Sequence, residues 1–202
     1  MRGYRIGARM SASLRLTLLG LALITSCAGP GQRAVTSYVG VYSDNSLPEE
    51  ILPLKKIQFE DSYLIAVAYD EVFHSFWDDH GRWEWEVQGV KHWGQQTHWE
   101  LNALLILRWR EFPWNETVRT SFALGEGLSW ASEIPDLELE SHTNEGATQL
   151  LNYLLLEWTF GLPSEPDWDL VLRIHHRSGI FGLFDGVDGG SNVLAVGVKY
   201  TF

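Results

Sequence analysis

In the stretch "RIHHRSGIFGLF", residues 173–184, His176 and Ser178 stand two positions apart. A serine hydroxyl is a weak nucleophile until a base removes its proton, and neutral imidazole does this near physiological pH. Residues i and i+2 of an extended strand share one face, so the two side chains can approach each other. The plainer reading is a polar pair where a strand meets water. The choice depends on where the two residues point.

Other residue sets carry weaker signals. His175 and His176 are adjacent, so in a regular strand they face opposite ways and cannot hold one metal together. His92 and His98 flank "WGQQT" and can meet across a hairpin. The expectation there is a solvated hairpin end, with no metal site. "DGVDGGSN" offers two carboxylates and flexible glycines, as a calcium loop would; the expectation is a mobile loop. "GEGLSW" lacks the residue order and the strand-turn-helix context of a G-x-S-x-G elbow. No cofactor is expected.

The chain has 202 residues, enough for one domain with a real core. Its first 26 residues read as a separate signal peptide. Arg2, Arg5, Arg9 and Arg15 precede the apolar run "LTLLGLALIT", which is too short for a stable bilayer anchor. Ile24-Thr25-Ser26-Cys27 resembles a bacterial lipobox, which would lipidate Cys27; ordinary cleavage after Ala28 is the alternative. With one cysteine, no disulfide can form within a chain. Removing four arginines and no acid takes the formal charge from −11 to −15. So acidic a chain repels phosphate and is not a nucleic-acid binder.

After the signal no run of 18 apolar residues occurs, so no transmembrane helix is expected. Yet the chain is 45% hydrophobic and holds 10 Trp, 7 Tyr and 9 Phe. That combination suggests a transmembrane β-barrel, and period-2 alternation supports it. In "NVLAVGVKYTF", Leu194, Val196, Val198, Tyr200 and Phe202 share one face; small or polar residues share the other. Leu101, Ala103, Leu105, Leu107 and Trp109 likewise oppose Glu100, Asn102, Arg108 and Arg110. Eight strands are predicted, near 36–43, 58–71, 82–93, 96–110, 117–131, 147–161, 167–178 and 192–202. Residues 27–35 read as a short linker, and 36–202 as an eight-stranded antiparallel transmembrane β-barrel in the bacterial outer membrane. A soluble sandwich or lipocalin-like barrel is the competing fold. Phe202, with Tyr200 two before it, resembles the C-terminal signal of outer-membrane barrels. Short Pro-bearing turns at 111–116 and 162–167 suit the periplasmic side; the stretches 44–57, 132–146 and 179–191 suit the outside. Eight strands enclose a side-chain-filled interior, so the inward charges should pair, and no open pore is expected.

On the seventh strand the apolar face runs Leu170, Leu172, Ile174, and by twos continues to His176 and Ser178. Both therefore point outward at the outer-leaflet end, while His175 and Arg177 point inward. His176-Arg177-Ser178 on the penultimate strand of such a barrel resembles the His-x-Ser motif of the lipid A 3-O-deacylases, the PagL-like outer-membrane enzymes. That resemblance implies a serine esterase acting on lipid A of lipopolysaccharide, with Ser178 as nucleophile and His176 as base. The family's oxyanion-hole Asn after the serine is replaced by Gly179, whose backbone N–H is the remaining candidate donor. The family's Glu, about a dozen residues on, falls near Gly190. Asp188 is the first candidate acid by parity and Glu126, on the fifth strand, the second; a dyad without an acid is the third possibility. The alternative function is a non-enzymatic small barrel with a structural or lipopolysaccharide-binding role.

Overall fold

The computed structural model describes residues 31–43, 45, 47, 51, 57–141, 147–180, 182–187 and 189–202. The signal peptide, Cys27 and Asp188 lie outside the described residues. The strands are β1 (Arg33–Ser43), β2 (Phe59–Phe76), β3 (Gly81–Gly94), β4 (Trp99–Trp109), β5 (Arg119–Ala131), β6 (Leu150–Gly161), β7 (Trp168–Ser178) and β8 (Gly190–Thr201). One short helix, α1 (Asp136–Ser141), follows β5. Every strand pairs antiparallel with its sequence neighbour, and β8 returns to β1, closing the barrel. Closure leaves no sheet edge, as a structure embedded in hydrocarbon requires.

The alternation decides the architecture. Along β4, exposed and buried residues alternate without a break. The outer wall carries Ile65, Val67, Leu101, Leu105, Leu128, Leu170 and Val198, each about half exposed. Covering such a side chain is worth roughly 1.5–3 kcal/mol, so this wall needs hydrocarbon around it. Aromatic residues ring both ends of the wall. Tyr63, Trp93, Trp99 and Trp130 lie at one end; Trp83, Trp109, Trp158, Trp168 and Tyr200 lie at the other. These are the two girdles of a membrane barrel. Among the described residues no helix is long and apolar enough to cross a membrane; strands do the crossing.

The inner face is charged and paired. Arg173 bonds both oxygens of Glu86 at 3.0 Å and donates Nε–H to Glu157 at 2.9 Å. Arg108 bonds Glu84 and Glu157 at 2.8 Å, and Lys199 lies 3.2 Å from Asp70. The ladder fills the lumen, as eight strands of this diameter demand. At the end that holds the first residues of β1 and the last of β8 it opens into a recess of about 250 Å³ lined by Arg82, Arg110, Arg119, Asp169 and Lys199 among others.

The structure also departs from the sequence reading. β1 begins three residues early and β2 runs on to Phe76. β2 then turns tightly through Trp77, Asp78 and Asp79, all with positive φ. Asp79 holds that turn by bonding Arg82 and Arg110. β4 begins at Trp99, not 96, because 95–98 forms the hairpin loop. The helix α1 was not expected. It seats on the opposite mouth, where Glu138 accepts hydrogen bonds from Arg177 (3.1 Å) and Ser191 (2.7 Å).

Candidate active site

The outer-wall site is assembled by strand register. β7 ends on His176 and Ser178, both outward and part-buried. Across β8, His176 faces Asn192 and Ser178 faces Gly190; across β6, they face Leu154 and Asn152. Even-numbered residues of β6 and β8 share this outward parity. Asn152 and Asn192 therefore stand on either side of the serine–histidine pair.

His176 is oriented by Asn192. Its Nδ1 lies 2.7 Å from Asn192 Oδ1. The Asn192 amide is itself fixed, since its Nδ2 donates to the Asn45 carbonyl at 2.8 Å. Oδ1 can only accept, so Nδ1 of His176 carries the proton, and in the neutral ring Nε2 then bears the lone pair. That tautomer is the one a general base needs. Asn45 is held in turn by Ser43, whose Oγ–H donates to its side chain at 3.0 Å.

Glu126 stands on the outer wall of β5, as its parity required. It does not reach His176, because β6 intervenes. Its carboxylate instead holds the side chain of Asn152. Asp185 sits exposed in the β7–β8 loop. The histidine's partner is thus an amide neither predicted nor acidic, and the Gly190 position carries no side chain. A Cβ there would come within 2.1 Å of the Arg177 carbonyl oxygen.

Gly179 is a second correction. Its N–H donates to the Gly189 carbonyl at 3.0 Å, so it is not free to stabilise an oxyanion. An added Cβ at Gly179 would meet the Val187 carbonyl oxygen at 1.9 Å, which accounts for glycine directly after the serine. The following loop is closed by its own hydrogen bonds, Gly182 to Val187 and Phe184 to Gly179 among them. Ile180 holds φ at 46°, a strained value for a β-branched residue. No hydrogen bond joins His176 to Ser178 among the described residues.

Behind this site, on the lumenal face of β7, lies a third correction. His92 and His98 are not a solvated hairpin end. They are 4% and 2% exposed, with rings stacked 4.1 Å apart. Burial, and then the neighbouring His92, push the pKa of His98 down to about 3, so it is neutral. In α1, burial raises Glu138 above the usual carboxylate range, partly offset by Arg177.

No protein-family model matches the sequence, and no curated protein matches it. Solved structures do share the fold. The outer membrane enzyme PagL superposes with a TM-score of 0.58 at 14% identity, covering 83% of this chain and 98% of that one. Neisserial surface protein A (NspA) superposes with a TM-score of 0.50 at 11% identity, covering 85% and 97%. This chain is an eight-stranded barrel of the bacterial outer membrane. At such identities the likeness establishes the fold, which an enzyme and a surface protein share. Activity has to be argued from the site.

Proposed function

We propose that this barrel is a serine esterase acting on an ester-linked acyl chain of lipid A, from the outer leaflet. One observation carries the reading: His176, oriented by Asn192 through Nδ1, shares the outward face of β7 with Ser178. With the chain termini in the periplasm, the short turns at 77–80 and 162–167 are periplasmic and the long β1–β2 and β5–β6 connections external. β7 then runs outward, and Ser178 lies at the level where lipopolysaccharide acyl esters meet the wall.

In this reading His176 Nε2 takes the proton of Ser178 as Oγ attacks the ester carbonyl carbon. The oxyanion is met by the side-chain N–H of Asn152, positioned by Glu126 in place of the donor absent at Gly179. Collapse breaks the ester C–O bond, and His176 returns the proton to the leaving alkoxide. Water then hydrolyses the acyl-serine and releases a fatty acid. An amide in place of the acid follows the Cys-His-Asn arrangement of papain-like proteases, where it orients without a charge. No cofactor enters these steps.

The second reading is a non-enzymatic barrel that binds lipopolysaccharide or stabilises the membrane. The absent His176–Ser178 hydrogen bond and the engaged Gly179 N–H favour it. A fluorophosphonate ester separates the two. The esterase reading expects one phosphonyl adduct, mapped to Ser178, that fails to form in His176→Ala. A folded wild-type barrel that stays unlabelled supports the binding role.

A further inference from the structure

The lumen holds a second cluster that the esterase reading does not use. His92 ends β3, His98 lies in the hairpin loop, and Glu100 opens β4, all buried. One ligand atom from each lies within 4.8 Å of the others. His175 of β7 adjoins the cluster: its Nε2 is 2.9 Å from Glu100 Oε1, while His92 Nε2 is 3.0 Å from Glu100 Oε2.

One buried ligand atom here, His98 Nε2, has no hydrogen-bond partner among the described residues. His175 Nε2 and Glu100 Oε1 face each other at 2.9 Å. An unpartnered polar atom in a buried site is costly and calls for a partner. On its far side, His175 Nδ1 lies 3.2 Å from Tyr38 Oη and 3.1 Å from Tyr153 Oη. His92 and His98 are stacked face to face, and Arg177 is already paired with Glu138.

We infer that His92, His98 and Glu100 form a binding site for one divalent transition-metal ion of the zinc class inside the barrel, with His175 standing beside Glu100. Imidazoles with one carboxylate are the ligands zinc and cobalt take in four-coordinate sites. Tetrahedral bonds of about 2.0–2.1 Å set neighbouring ligand atoms roughly 3.3 Å apart. The His92–Glu100 contact, at 3.0 Å, is already near that value, and one ligand atom from each of the three groups lies within 4.8 Å of the others. His175, whose Nδ1 meets Tyr38 and Tyr153 and whose Nε2 faces Glu100, is the outer-shell group that such a ligand requires. The ion would brace the β3–β4 hairpin and, through Glu100 and His175, reach β7 behind His176. The inference stands apart from the esterase reading, since its readout is binding.

The test uses the untagged, refolded barrel, stripped with chelator and titrated with Co²⁺. The expected result is one equivalent bound with the visible absorption of a tetrahedral ion, displaced by Zn²⁺, and a higher Tm with Zn²⁺. His98→Gln and Glu100→Gln should each weaken binding at least about tenfold. His80→Gln, at the opposite mouth, should leave it unchanged. A folded wild type that takes up no stoichiometric Co²⁺, or His98→Gln binding like wild type, overturns the site.

Discussion

Asn192 and His176 are cross-strand partners of β8 and β7, joined by a 2.7 Å bond from Nδ1–H to the amide oxygen. The amide cannot turn over, because its other end donates to the Asn45 carbonyl. An uncharged residue therefore does the orienting. Asn192→Ala should lower kcat about 10- to 100-fold on a soluble acyl ester with little change in KM. Asn192→Asp should keep activity and move the acidic limb of the pH profile upward, as a carboxylate raises the basicity of His176. A profile unchanged in both variants would contradict the role.

Asn152 is expected to act on the oxyanion. Asn152→Ala should cost about 10²–10³ in kcat, the range for one lost oxyanion donor, and leave the Ser178 phosphonyl adduct able to form slowly. Glu126→Gln should cost far less, since it acts through Asn152. Equal losses in both variants would point to a structural cause.

Glu157 accepts from both Arg108 and Arg173 and is fully buried. Removing one partner of such a network leaves charge unpaired. Glu157→Ala should destabilise the barrel by about 3–5 kcal/mol. Urea unfolding in lipid vesicles, followed by tryptophan fluorescence, checks this. A loss under about 1 kcal/mol would mean the lumen is wet enough to screen the pair.

Glu138 gives α1 a pH dependence. Its folded pKa is raised above 4.5, chiefly by burial. The folded state therefore holds the proton more tightly than the unfolded one. The contribution is full below about 4.5 and is lost as pH rises through the raised value. Amide exchange in α1 should quicken as pH increases across that window beyond the intrinsic rate. Glu138→Gln, which keeps the acceptor for Arg177 and Ser191, should remove the excess.

The barrel was legible because its signal is local. Each strand announces its two faces by period two, and aromatic ends mark the membrane boundaries, so strand number and the outward direction of His176 and Ser178 followed from the sequence. The site's other half was not legible, because register is long-range. Asn152 and Asn192 are 26 and 14 positions from Ser178, and nothing local says they flank it. Asn192 carries the right parity, but an acid expected at a fixed offset from the serine does not point to an amide. His92 and His98 were misplaced for a related reason. A four-residue loop looks exposed, yet the narrow barrel turns both rings into its lumen, where Glu100 and His175 arrive from other strands.

The central claim is that Ser178 is a nucleophile toward lipid A, and mass spectrometry of lipid A tests it most directly. Cells making wild-type protein and Ser178→Ala would be compared, with both barrels verified as folded by heat-modifiable migration. The alanine should cost the fold less than about 0.5 kcal/mol, because the position lies at a strand end on the lipid face. The account expects lipid A to lose one acyl chain with wild type and none with Ser178→Ala. Unchanged lipid A with a folded wild-type barrel, in cells whose lipopolysaccharide carries the ester-linked chains, would contradict it and leave a binding barrel.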